Sequence, residues 1–217
     1  MSQSLKKAHF NMLEQQIRPS EVRNARVLKA LEDVLRSDFV DESLSGLAYA
    51  DTELPIGFDQ TILSPVFVAR MLQAVDVQAD EHVLEIGTGT GYVTALLSQL
   101  AKHVTTVEMI ADLSELAARN LSDNDNVTFA VGDASRGWAL TDRIDVIVLT
   151  AAFHVIPDEY LQSLKVGGRI LAVVGKNDPM MVTVTRRISE REWQTDSVFE
   201  TVIPAIINEE PQPQFEF

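Results

Sequence analysis

Residues 84–98 read LEIGTGTGYVTALLS, and this stretch decides the fold. An apolar run ends at Ile86, glycines follow at 87, 89 and 91, and an apolar, helix-like segment begins at Tyr92. Glycine lets a chain turn sharply and bring its backbone against a ligand, because a Cβ would obstruct both. A plain connector has no reason to bear the entropic cost of three alternate glycines, so the turn reads as a cradle for a nucleotide-type cofactor. The nicotinamide and flavin fingerprint G-x-G-x-x-G places its last glycine where Tyr92 stands here. The spacing is instead E-x-G-x-G-x-G from Glu85. That variant does not require a pyrophosphate. It suits a cofactor carrying a cation and an amino-acid moiety, with the Glu85 carboxylate nearby to complement positive charge.

Outward from this turn, short apolar runs alternate with helix-like segments. Strands are expected at 82–86, 103–108, 126–131, 144–150 and 169–175, with helices at 92–101, 111–121 and 157–164. That rhythm argues for a parallel sheet covered on both faces. After Gly175 the pattern becomes alternating apolar and polar around SEREW, which reads as an antiparallel hairpin. Five βα-type strands and a terminal hairpin give a seven-stranded Rossmann-like α/β sheet. A doubly wound dehydrogenase would continue with βα units instead.

Toward the N-terminus a helix is expected over 5–17, with Leu5, Phe10, Leu13 and Ile17 on one face. A second runs from an N-cap at Ser20 through Leu35. Residues 36–64 lack periodicity and read as a long loop of the kind that carries function. Ser64 and Pro65 then supply an N-cap and a first helical residue for a helix through Val75. The organisation expected is N-terminal helices and active-site loop over 1–75, a cofactor-binding core over 76–207, and a proline-rich acidic tail, extended or disordered, over 208–217.

Composition narrows the function. The 217 residues carry a net charge of −14, which repels phosphate backbones and argues against a nucleic-acid partner. The nearest thing to a basic patch, Arg186-Arg187, reads as a solvated strand edge. No apolar run approaches the roughly 18 residues of a membrane span, and no secretory block opens the chain, so no membrane partner is expected. There are no cysteines, which excludes disulfides and thiolate sites and points to the cytoplasm. His9, His82 and His103 show no metal-ligand spacing, so no metal is expected. Nothing in the sequence bears on oligomeric state.

Two further acids fall where an open α/β sheet binds ligands. Glu108 ends the strand after the glycine turn, placed to accept from both hydroxyls of a ribose. Asp133, in VGDA, follows the third strand and is placed to accept from an adenine amino group.

The runs VLEIGTGTGY, VTTVE, VGDASRGW, DVIVLTAAFHVIP and LKVGGRILAVVG resemble the successive motifs of a class I S-adenosylmethionine-dependent methyltransferase. With EQQIRP, DQTILSP and the GD-x-x-x-GW run, the chain resembles the protein-L-isoaspartate O-methyltransferase family from about residue 15 to 207. The resemblance implies an enzyme that methylates the carboxylate of L-isoaspartyl residues in damaged proteins or peptides, with S-adenosyl-L-methionine as cofactor. It implies that Gly87, Gly89 and Gly91, with Glu85 and Thr88, bear on the methionine and ribose portions. Glu108 and Met109 would hold the ribose side, Asp133 and Ala134 the adenine, and Thr150 the cleft beside the methyl group.

The family pattern Q-T-I-S-x-P reads Gln60-Thr61-Ile62-Leu63-Ser64-Pro65 here, with leucine at the serine position. Thr61 is then the hydroxyl placed to orient an acceptor, and His154 the side chain placed to reach the cleft after the fourth strand. Ser64 reads as a helix cap. Two alternatives stay open on the sequence: a methyltransferase of the same fold with another small-molecule or protein acceptor, and a cofactor-binding protein without transfer activity.

Overall fold

A computed structural model of the chain describes residues 2–176 and 179–208. A seven-stranded sheet has the order β5-β4-β3-β6-β7-β8-β9. Its members are β3 (His82–Ile86), β4 (His103–Glu108), β5 (Val127–Val131), β6 (Ile144–Phe153), β7 (Leu164–Val174), β8 (Met180–Ser189) and β9 (Glu192–Thr201). Strands β3 to β7 pair in parallel, whereas β7–β8 and β8–β9 are antiparallel. Order reverses at β3, with β4 on one side and β6 on the other, so the glycine turn after β3 sits at the switch point where open α/β sheets bind ligands.

Between the strands lie α4 (Tyr92–Leu100), α5 (Ala111–Asn120) and the short α6 (Asp158–Ser163). Every residue of α4 except Gln99 is buried, which explains its nearly unbroken apolar sequence. The expected hairpin is β8–β9. Its Arg187 departs from the solvated-edge reading: the side chain is buried and donates to the carbonyl oxygens of Gln162, Leu164, Ser189 and Glu190 over the ring of Trp193. Arg186 alone points out, paired with Asp196.

The N-terminal region differs more. Helix α1 (Gln3–Asn11) passes into a π-helical turn over Met12–Ile17. The wider turn shifts the helical phase, so Met12 and Ile17 are fully buried while Phe10 is exposed. Helix α2 (Ala25–Asp33) starts later than Ser20. Glu21 takes a left-handed conformation that ends the preceding 3₁₀ turn, and Asn24 accepts from the amides of Arg26 and Val27 as the cap.

Residues 36–64 are not a loop without structure. They hold two 3₁₀ segments (Arg36–Phe39 and Glu42–Leu47) and a hairpin, β1 (Leu54–Gly57) with β2 (Gln60–Ile62). Helix α3 (Pro65–Val75) follows. Ser64 holds its N-cap position without a side-chain cap bond, and Asp51 accepts from the Val66 amide instead. Met12, Ile17, Leu31, Leu63 and the buried face of α3 join Leu96, Val104 and Leu171 in one apolar cluster, so the N-terminal segments complete the core on one sheet face. Of the expected tail only Asn208 lies within the described residues.

Candidate functional site

A cleft opens at the carboxyl ends of β3, β4, β5 and β6, where open α/β sheets bind ligands. The glycine turn forms its base. Gly87, Gly89 and Gly91 all have positive φ, of 98°, 55° and 94°. A Cβ on Gly87 would overlap the Thr150 hydroxyl, which lies 2.8 Å from the carbonyl oxygens of both Ile86 and Gly87. Gly91 has a different task. It faces Ala117 of α5 and Leu121 just after that helix and is not among the cleft's lining residues, so its small size serves helix packing.

Glu108 is the best-organised acid of the site. One carboxylate oxygen accepts from the Gly89 amide at 2.9 Å and the other from the Ile110 amide at 3.0 Å. It is 8% exposed and lines the cleft, so its position is fixed while its lone pairs still face the open volume. Asp133 lies across the cleft beside Ala134. Its oxygens accept from the Ser135 amide and the Asn208 side chain, and the Ser135 bond holds its carboxyl below the usual carboxylate range. Beneath it the buried Tyr160 hydroxyl donates to the Ala134 carbonyl at 2.5 Å and fixes that wall.

Of the residues predicted from sequence, Thr61, Gly87, Gly89, Glu108, Met109, Asp133, Ala134 and Thr150 meet at this cleft. Thr88 lines a smaller chamber that shares Ile56, Thr61, Leu63, Gly87, Gly89 and Thr150 with it. Three sit elsewhere in the fold. Gly91 packs on α5, as above. Glu85 is fully buried beneath the turn, where one oxygen accepts from Thr94 at 2.5 Å and Thr106 at 2.7 Å. Burial, reinforced by Glu108 and opposed by the two threonine bonds, pushes its pKa up to about 7. It supports the turn instead of facing the cleft. His154 follows the last residue of β6, Phe153, and is not among the residues that line the cleft.

The glycine turn, the amide-anchored Glu108 and Asp133 thus meet across one cleft, and known proteins bear on what it is. The family model for protein-L-isoaspartate(D-aspartate) O-methyltransferase matches residues 7–209. The chain belongs to this family. A protein-L-isoaspartate O-methyltransferase of Syntrophus aciditrophicus is 42% identical over 189 residues, covering 86% of this chain and 87% of that one. That of Yersinia enterocolitica is 43% identical over 182 residues, covering 83% and 88%. The crystal structure of a candidate protein-L-isoaspartate O-methyltransferase from Plasmodium falciparum, in complex with S-adenosyl-L-homocysteine, superimposes with a TM-score of 0.81. It is 16% identical and covers 93% of this chain and 99% of that one, and at that identity it speaks for the fold.

Within this family site, sequence reasoning missed the hairpin residues Ile56 and Gln60 and the C-terminal segment 204–207, all of which line the cleft. That segment is held by Ala152, whose amide donates to the Pro204 carbonyl and whose carbonyl accepts from the Ile206 amide, each at 2.9 Å. Nothing in its composition signals a site, because the pairing is made by backbone across about 50 residues of chain. Thr61 was found, but its proton is committed: the hydroxyl donates to Glu53 at 2.9 Å. Arg36 was missed as well. Fully buried, it donates to the carbonyl oxygens of Ala48, Thr52, Ile62 and Leu63 and so ties the 3₁₀ region to the end of β2 and the residue after it.

Proposed function

We propose that the protein is an S-adenosyl-L-methionine-dependent O-methyltransferase that methylates the carboxylate of L-isoaspartyl residues in damaged proteins and peptides. The observation that carries this reading is the cleft itself, in which the turn, Glu108 and Asp133 converge at the switch point of a sheet belonging to this family. The residues fit the cofactor. Gly87 and Gly89 line the cleft without side chains, and Glu108 presents fixed acceptors for a pair of hydroxyls. When bound, S-adenosylmethionine supplies an electrophilic methyl group, whose bond to sulfur breaks as its bond to an acceptor oxygen forms.

The chain's own work is then to position and to exclude water. A carboxylate acceptor is already ionised at neutral pH, so no general base is needed. Rate depends on holding oxygen and methyl in line in a dry site. Residues 1–75 contribute the acceptor wall through Ile56, Thr61 and Leu63, and the 76–207 core contributes the cofactor cradle. Met109, Ala134 and the 204–207 segment enclose the remaining side.

Among the described residues no helix is long and apolar enough to cross a membrane. The cysteine-free composition accords with a reducing compartment, and we place the protein in the cytoplasm. The net charge of −14 favours a peptide over a nucleic-acid partner.

A second reading, a methyltransferase with another acceptor, is favoured by Leu63, which presents a side chain without a donor to both chambers. Incubation with labelled S-adenosylmethionine and an isoaspartyl peptide separates the two. Label transfer to the peptide, absent with its aspartyl isomer, is expected. Tight cofactor binding without transfer would overturn the isoaspartyl reading. In the Leu63→Ser variant a gain in peptide turnover of tenfold or more would show that the acceptor site is intact but underused.

A further inference from the structure

At the end of the sheet away from the cleft, His82 and His103 are the first residues of β3 and β4 and stand side by side in the parallel register. They are far apart in the chain, so no ligand spacing shows in the sequence; strand pairing alone brings them together. Their ring centroids lie 5.9 Å apart with the planes tilted by 44°. Both residues are half-buried, so the pair is fixed by the sheet and still open to solvent. By the two-residue alternation of a strand they share the sheet face that buries Leu84, Ile86 and Val107 farther along.

The chemistry of the pair points to a metal ion. Two imidazoles on one tetrahedral ion, with metal–nitrogen distances of about 2.0–2.1 Å, place their centroids roughly 5–6 Å apart. The Thr128 hydroxyl of β5 lies 3.0 Å from Nε2 of His103. It can accept that proton and leave the Nδ1 lone pair for an ion, the outer hydrogen bond that metal-bound histidines commonly make. Burial, and the charge of His82 beside it, hold the His103 pKa below its ordinary 6.5, so this ring is neutral and able to coordinate at neutral pH. Asp145 is committed elsewhere, its oxygens accepting from the His82 amide and the Lys165 ammonium. Among the described residues no group of three such side chains is placed to hold a metal, so the protein offers two ligands here and water the rest.

We propose that His82 and His103 form a two-histidine site for a divalent transition ion, a clamp across the first residues of β3 and β4. Imidazole ligands select ions such as Ni²⁺, Cu²⁺ and Zn²⁺ over Mg²⁺ and Ca²⁺, which prefer oxygen. β3 leads into the glycine turn and β4 ends at Glu108. The ion would therefore tie together the two strands that carry the cofactor site, from their opposite ends and without touching it. The inference does not depend on which acceptor is methylated.

Calorimetry of the untagged chain with Ni²⁺ reads the site, with His82→Asn and His103→Asn as variants and Mg²⁺ as the control ion. The wild type is expected to bind Ni²⁺ at least tenfold more tightly than either variant, Cu²⁺ more tightly still, and Mg²⁺ not measurably. Its melting temperature should rise with Ni²⁺, and those of the variants should not. Affinity for S-adenosylhomocysteine should stay within twofold in all three proteins. Electron paramagnetic resonance of the Cu²⁺-loaded wild type needs no variant, and two imidazole nitrogens on the copper are expected. Ni²⁺ affinities within twofold of wild type in both variants, or a copper spectrum with a single imidazole nitrogen, would overturn the site.

Discussion

At the residue scale the site depends on what Gly87 lacks. Its φ of 98° is one that side chains rarely adopt, and the space a Cβ would fill holds the Thr150 hydroxyl. Gly87→Ala therefore meets two penalties: about 1–2 kcal/mol from the left-handed backbone, and the displacement of Thr150 from the carbonyl oxygens of Ile86 and Gly87. Affinity for S-adenosylhomocysteine is expected to fall by about a hundredfold or more, with a melting temperature lower by several degrees. Adding Thr150→Ala should recover part of the affinity, because it removes the clash and leaves only the backbone strain. Equal affinity in the two variants would show that the overlap with Thr150 does not matter. The glycines were legible because a positive φ leaves a mark on composition. Glu85 was legible as part of the turn but its burial beneath it was not, since a sequence gives no sign of whether an acid stands above a turn or under it.

Glu85 links elements, and its titration belongs at their scale. It joins β3 to Thr94 on α4 and Thr106 on β4, and Thr106 in turn meets the Thr88 hydroxyl of the turn at 2.6 Å. With a folded pKa near 7 against an ordinary 4.5, the folded chain keeps a proton that the unfolded chain has lost. The stability linked to this group is present below pH 4.5 and is lost as pH rises through 7, a swing of about 3 kcal/mol. Glu85→Gln removes the titration. The melting temperature of wild type minus that of the variant should drop by several degrees between pH 5 and pH 8. Parallel curves would show that Glu85 is ionised throughout.

The hairpin is the element the sequence hid most fully. Its strands have only four and three residues, too short for alternation to register. Its two-residue turn is Phe58-Asp59, both at positive φ, in place of an Asn-Gly signal. Supplying that signal with Phe58→Asn and Asp59→Gly should stabilise the protein by about 1–2 kcal/mol. At roughly 2–4 °C per kcal/mol for a chain of this size, a scanning calorimeter would register the gain. A lower melting temperature would show that contacts of the exposed Phe58 outweigh the strain.

At the scale of the whole molecule, the periodic segments of β3 to β9 were readable because a sheet covered on both faces imprints its burial on sequence. The walls of the cleft were not, because they come from opposite ends of the chain and are joined through backbone. The C-terminal wall makes this measurable. Residues 204–207 line the cleft, Pro204 and Ile206 pair with Ala152, and the Asn208 side chain donates to Asp133. Removing everything after Ile203 keeps that buried side chain and leaves all nine strands intact. Among the described residues it deletes the two backbone bonds to Ala152 and the Asn208 bond to Asp133, worth about 1 kcal/mol each, the weaker Asn208 contact with the Met109 sulfur, and the apolar cover over the adenosyl side. The circular dichroism of the truncated protein should match that of the full chain, while S-adenosylhomocysteine binds at least tenfold more weakly and dissociates faster. Unchanged affinity would mean that the sheet, the turn and the hairpin suffice to hold the cofactor. A loss of affinity with the dichroism preserved would establish that the chain closes its own cleft from the far end.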